Sequence, residues 1–296
     1  MEHHYAEFNG IRMHYVTHGT GKPLVLLHGF PEYWGVWRGL MRELEREYQL
    51  IAPDLRGYNL TSKPEGVEHY RIQHLVADVR GLADHLGLER FNLLVQDWGA
   101  LVGWNFLLRH PERVERFMTI DITHPALFLR DLRTNPQQQK ASQYMLLFRQ
   151  PGAAEDYFHA NDFAAGRQEI FGDARRHGAL LSAEQEEEWV EVWKQPGALT
   201  AGFNYYRAAE LGPPDGKGHP GGGNMLDDLN PEQFLVRAPV LVMWAEKDTA
   251  LLQCGLEGLE QYVPDLTIRR VPDATHWLSL EKPAVVAQHV REFLAR

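Results

Sequence analysis

The 296 residues carry 30 Lys and Arg against 40 Asp and Glu, a formal net charge of −10 at pH 7, and 44% of them are hydrophobic. That is ample material for a core, while the acidic balance excludes the electrostatic grip on phosphates that nucleic-acid binding needs. The one cysteine, Cys254, forms no internal disulfide, and no CxxC or Cys/His cluster signals structural zinc. The start, MEHHYAEFNG, has neither the basic nor the apolar region of a signal peptide. No run reaches the ~18 apolar residues of a membrane span, so a cytoplasmic protein is expected.

Two alternating runs, Tyr5 to Phe8 and Ile11 to His18, flank Asn9-Gly10, a dipeptide suited to a type I′ turn, and predict an antiparallel hairpin. Pro23 to Leu27 reads as a strand buried on both faces, ended by His28-Gly29-Phe30-Pro31. Trp34 to Glu47 is amphipathic and leads to a strand at Gln49 to Pro53. Ile72, Leu75, Val79, Leu82 and Leu86 give helical spacing across His69 to Leu86, and Phe91 to Gln96 is a third apolar strand. Ala100 to Arg109 predicts a helix stopped at His110-Pro111, and Arg116 to Ile120 the next strand. Alternation of this kind implies an α/β fold with a mostly parallel sheet flanked by helices.

Over residues 123–230 strand-like runs give way to helical, aromatic-rich stretches. We read this as a helical cap inserted between two parts of one core domain, 1–122 and 231–296. The cap ends in Gly212 to Gly223, whose glycines and prolines predict a mobile loop. The rhythm resumes with a strand at Pro239 to Trp244, a helical stretch Gly255 to Tyr262, a strand Leu266 to Val271 and a helix Pro283 to Ala295.

Val95-Gln96-Asp97-Trp98-Gly99 stands where a strand-to-helix turn would carry a nucleophile, with Asp in place of the usual Ser. The following helix N-terminus favours an ionised carboxylate there, although Asp is also a common helix cap. Chain order adds weight: Asp248 follows one late strand and His276 the next, the nucleophile, acid, histidine order of such folds. All three would sit at the carboxyl ends of parallel strands. Asp121, after Ile120, is a rival acid. The Phe30 N–H, paired with that of Trp98, would form an oxyanion hole. The Phe30-Pro31 bond is a candidate cis peptide, and His28 is expected to bond loop backbone.

These segments resemble the epoxide hydrolases of the α/β-hydrolase superfamily, with haloalkane dehalogenases as close relatives. The resemblance spans nearly the whole chain, through His28-Gly29-Phe30-Pro31-Glu32, Gln96-Asp97-Trp98-Gly99, Ala245-Glu246-Lys247-Asp248 and Thr275-His276-Trp277. It implies an α/β-hydrolase fold and ring-opening tyrosines at Tyr144 and Tyr206, in segments 144–152 and 204–207, with Tyr205 the alternative to Tyr206. Two positions depart from the family pattern: Asn59 replaces a glycine and Gln96 a histidine. Asn tolerates positive φ, so the turn at Asn59 is expected to survive.

Leaving-group chemistry separates the two activities. An epoxide oxygen departs as a strong base that needs a proton donor, which a tyrosine supplies; a halide needs only N–H donors. Trp98 suits either. The usual dehalogenase Asn is replaced by Phe30, although cap Trp189 or Trp193 would be an alternative donor. Plain cap packing is the other reading of the two tyrosines. The expected activity is therefore hydrolysis of a small apolar epoxide to a vicinal diol through an ester on Asp97, needing no metal or organic cofactor. Haloalkane or haloacid dehalogenation and a ligand-receptor role are the alternatives, and a monomer or homodimer is expected.

Overall fold

A computed structural model describes residues 1–296. Its single sheet has eight strands: β1 (Glu2–Phe8), β2 (Ile11–His18), β3 (Lys22–Leu27), β4 (Tyr48–Pro53), β5 (Phe91–Gln96), β6 (Val114–Ile120), β7 (Val240–Ala245) and β8 (Leu266–Val271). They lie in the order β1-β2-β4-β3-β5-β6-β7-β8. The β1-β2 hairpin is antiparallel and joins antiparallel to β4; every later pairing is parallel. Asn9 and Gly10 both take positive φ, at 49° and 72°, as the predicted turn requires.

Central strands β5 and β7 are buried along their whole length because helices cover both faces. Edge strand β8 is only partly buried, and it carries Arg269 and Arg270, charges of the kind that discourage pairing with another chain. The helices of the sheet layers are α1 (Arg38–Leu44), α2 (Ile72–His85) and α3 (Asp97–Arg109). The amphipathic stretch from Trp34 opens as a 3₁₀ turn before α1, and the helical pattern from His69 is divided at Arg71, whose extended ψ of 147° ends a 3₁₀ turn before α2.

Between β6 and β7 the chain is helical: α4 (Pro125–Thr134), α5 (Pro136–Ala141), α6 (Tyr144–Phe148), α7 (Ala153–Gly166), a π-helix (Arg167–Gly172), α8 (Asp173–Arg176), α9 (Ala183–Lys194) and α10 (Ala198–Ala208). Its aromatic side chains share one apolar core with the sheet, so Trp189 and Phe203 belong to the same contact cluster as Leu94. Fully burying each such side chain stabilises the fold by roughly 1.5–3 kcal/mol. The Gly212–Gly223 loop is more ordered than its composition predicts: Gly212 and Gly222 exchange backbone hydrogen bonds at 3.0 and 2.8 Å, and Arg133 reaches the carbonyls of Gly221 and Gly223. The helix expected over Gly255 to Tyr262 is instead two 3₁₀ turns, because Gly258 between them has φ of 89°. Two helices, α11 (Leu278–Glu281) and α12 (Pro283–Leu294), close the chain. No helix is long and apolar enough to cross a membrane.

Candidate active site

Four strands end at one edge of the sheet, and each is followed within a few residues by an ionisable side chain: Asp97 after β5, Asp121 after β6, Asp248 after β7 and His276 after β8. Asp97 is the first residue of α3 and is held at φ 48°, a left-handed conformation that turns its carboxylate out of the strand line. Two glycines permit this close turn. A Cβ on Gly29 would lie 2.3 Å from Asp97 Oδ1, and one on Gly99 would lie 2.2 Å from the carbonyl oxygen of Leu27.

The Phe30 N–H donates to Asp97 Oδ1 at 2.6 Å, and His276 Nε2 stands 3.4 Å from Asp97 Oδ2. On its other side, His276 Nδ1 donates to Asp248 Oδ2 at 2.7 Å. Asp248 is fixed in turn by the backbone N–H groups of Ala250 and Leu251, which donate to its Oδ1 at 2.7 and 2.9 Å. Burial pulls the His276 pKa down, but the charges and hydrogen bonds of Asp248 and Asp97 outweigh it and raise the imidazole well above its usual range.

A family model described as alpha/beta hydrolase fold matches residues 22–283. The chain belongs to that family. This hydrolase is 34% identical over 293 residues to AB hydrolase superfamily protein YfhM of Bacillus subtilis, across 98% of this chain and 96% of that one. It is 33% identical over 294 residues to Epoxide hydrolase 4 of Homo sapiens, across 97% of this chain and 76% of that one. A crystal structure of Bacillus megaterium epoxide hydrolase in complex with an inhibitor matches its fold with a TM-score of 0.89 at 33% identity, covering 99% of this chain and 100% of that one.

In this hydrolase a cavity of about 520 Å³ opens over Asp97 and His276, lined by Phe30, Phe148, Phe158 and Trp277 among others, and both Tyr144 and Tyr206 face it. Burial first, then neighbouring charges that include Asp97, raise both phenols above the usual tyrosine range, so they stay protonated. Tyr205 points the other way, donating its O–H to the Arg56 carbonyl at 2.7 Å. Trp193 donates its indole N–H to the Pro31 carbonyl at 2.7 Å, and neither it nor Trp189 lines the cavity. The Phe30-Pro31 bond is cis. His28 bonds loop backbone, its Nδ1 to the Gly29 carbonyl and its Nε2 accepting from the Leu55 N–H. Asn59 keeps its turn at φ 41°.

Two buried acids surround this set. Glu32 accepts from the Gly29 N–H at 2.7 Å and from Gln96 Nε2 at 3.2 Å, while the same Gln96 nitrogen donates to the His276 carbonyl. Burial, reinforced by the charge of Asp97, pushes Glu32 up to about 8. In the sequence Glu32 is legible only as part of a motif; its burial beside Asp97 depends on the tertiary fold. Asp121 lies against Asp248 and His276.

Proposed function

We propose that this hydrolase opens epoxides to vicinal diols through a covalent ester on Asp97. The observation that carries the reading is one cavity lined together by Tyr144, Tyr206, Asp97 and His276. In this mechanism Asp97 attacks a ring carbon, the C–O bond breaks towards the epoxide oxygen, and that oxygen takes a proton from a tyrosine. Segment 123–230 acts as the cap that presents both phenols.

Alkylation removes the negative charge of Asp97, which stands 3.4 Å from His276 Nε2. The histidine thereby loses part of what holds its proton; that proton passes to solvent, to be taken up again when the Asp97 carboxylate is restored, and leaves the neutral imidazole as a base. His276 then takes a proton from water as the hydroxide attacks the ester carbonyl, and the Phe30 and Trp98 N–H groups receive the developing oxyanion. Collapse releases the diol, whose departing oxygen takes the proton from His276. The second water proton returns to the tyrosine, and Asp97 is a carboxylate again. A dehalogenase reading lacks a second indole N–H, because Trp193 is engaged with Pro31 and neither cap tryptophan lines the cavity.

The deciding assay compares styrene oxide with a 1-bromoalkane, following diol and bromide, in the native protein and in Tyr144→Phe/Tyr206→Phe. Diol formation that collapses in the double variant is expected. Bromide release that ignores the variant would move the protein to dehalogenation. His276→Gln is expected to accumulate a mass adduct on Asp97, and Asp97→Ala to lose turnover altogether.

A further inference from the structure

Asp121 has no part in the reaction as written above, yet the fold places it with unusual care. Its backbone N–H donates to the Met243 carbonyl at 3.1 Å, and Ile122 N–H closes a three-residue turn onto the Ile120 carbonyl at 2.8 Å. Asp121 at the centre of that turn has φ of 61°, a conformation that is rare for any residue but glycine. The turn aims the side chain sideways under β7, where Oδ1 accepts from the Ala245 N–H at 2.8 Å. Oδ2 is fully buried and meets no donor. Single ligand atoms of Asp121, Asp248 and His276 lie within 4.8 Å of one another.

Two buried carboxyl groups this close cannot both be ionised, and the proton settles on the one whose charge is worse solvated. Asp248 receives two backbone N–H donors and the imidazole; Asp121 receives one N–H. We propose that Asp121 is a positioning residue held as the neutral acid, whose O–H donates to the Asp248 carboxylate and so limits how strongly that carboxylate holds the proton of His276. Burial, then the Asp248 charge, raise Asp121 well above the usual carboxylate range, in agreement. No proton leaves Asp121 during turnover.

The other ionisable groups around His276 are Asp97 on α3, Glu32 after β3, Tyr144 on α6 and Tyr206 on α10, with Glu169 and Asp173 further along the same cavity. An ionised Asp121 would add a further negative charge to this set and keep the imidazole protonated when a base is needed. A neutral Asp121 avoids that while still fixing Asp248.

The inference rests on His276 being the base proposed above, and the test separates the two. Asp121→Asn keeps a neutral donor and an acceptor in place, whereas Asp121→Ala removes both. Infrared difference spectra of the resting protein near pH 7 are expected to show a protonated-carboxyl stretch that disappears in Asp121→Asn and is distinct from the one lost in Glu32→Gln. Asp121→Asn is expected to keep most of the turnover and an unmoved acid limb. Asp121→Ala is expected to lose about 10- to 100-fold in kcat, as for a lost bond to a charged group, with the acid limb moved to higher pH because Asp248 then holds the His276 proton more tightly. Absence of the band, a loss in Asp121→Asn equal to that in Asp121→Ala, or an acid limb moved lower in Asp121→Asn would each overturn the proposal. If Asp121→Ala does not fold, the band and the Asp121→Asn profile still decide. A protein that shows the band but hydrolyses no epoxide would refute the proposed activity and leave this inference standing.

Discussion

Gly29 lies so close against Asp97 that a methyl group on its α-carbon would stand 2.3 Å from both Cβ and Oδ1 of the aspartate. No flexible chain end is available to yield, since the contact is with the short side chain of the proposed nucleophile itself. Gly29→Ala must therefore displace either the Phe30 N–H or Asp97. Because displacements of about 1 Å at a reacting group cost on the order of 100-fold, the variant is expected to fold and to lose at least that much in kcat/KM. Turnover within threefold of the native protein would show that the site relaxes around the methyl group.

The Trp277 indole donates to the Glu169 carbonyl at 2.9 Å, tying the loop of His276 to the π-helix over the cavity. The indole also meets the imidazole edge to face, with centroids 5.0 Å apart. Trp277→Phe keeps an aromatic ring and removes the N–H. With a neutral hydrogen bond contributing about 1 kcal/mol, KM is expected to rise about fivefold while kcat changes less. Steady-state kinetics check this; a fall in kcat at constant KM would place the role of Trp277 in the chemical step instead.

Glu32 gives a pH-dependent stability. Its pKa rises from 4.5 to about 8 on folding, mainly through burial, so the folded state favours the acid form. That contribution is intact below the unfolded value and is lost as pH rises towards 8, on the order of 1.4 kcal/mol per pH unit in the window. Urea unfolding at about pH 5 and about pH 8.5 should show the native protein losing more stability than Glu32→Gln, which has no proton to lose. Equal losses in the two proteins would show that Glu32 is ionised throughout.

Arg56 and Asp78 form a buried bidentate pair at 2.7 Å, and both also bond Asn9 in the first hairpin turn. Removing one partner leaves a charge buried without compensation. Asp78→Ala is expected to lower unfolding free energy by about 3–5 kcal/mol without touching the cavity. A loss below about 1 kcal/mol would mean that water reaches Arg56 in the variant.

The order of strands and helices was legible because buried parallel strands and amphipathic helices leave period-specific apolar patterns, as in Phe91 to Gln96 and Ile72 to Leu86. Asp97, Asp248 and His276 could be singled out because each follows such a strand. The helix expected at Gly255 to Tyr262 was misread for a local reason: apolar spacing alone does not reveal that Gly258 adopts positive φ. The Gly212–Gly223 loop was misread for a distant one, since Arg133, on α4, helps hold it.

By itself the sequence determined what local patterning can carry: the alternation of elements, the Asn9-Gly10 turn, and the chain order of the acids and the histidine. Only the tertiary structure decided which of the adjacent Tyr205 and Tyr206 faces the cavity, that Trp193 bonds Pro31, and that Glu32 and Asp121 are buried beside charged partners. The reason is physical. A side chain's direction and its charge state depend on groups brought close from 60 to 180 residues away, as when Phe30 reaches Asp97 and Gln96 reaches the carbonyl of His276, and no periodicity along the chain records those distances.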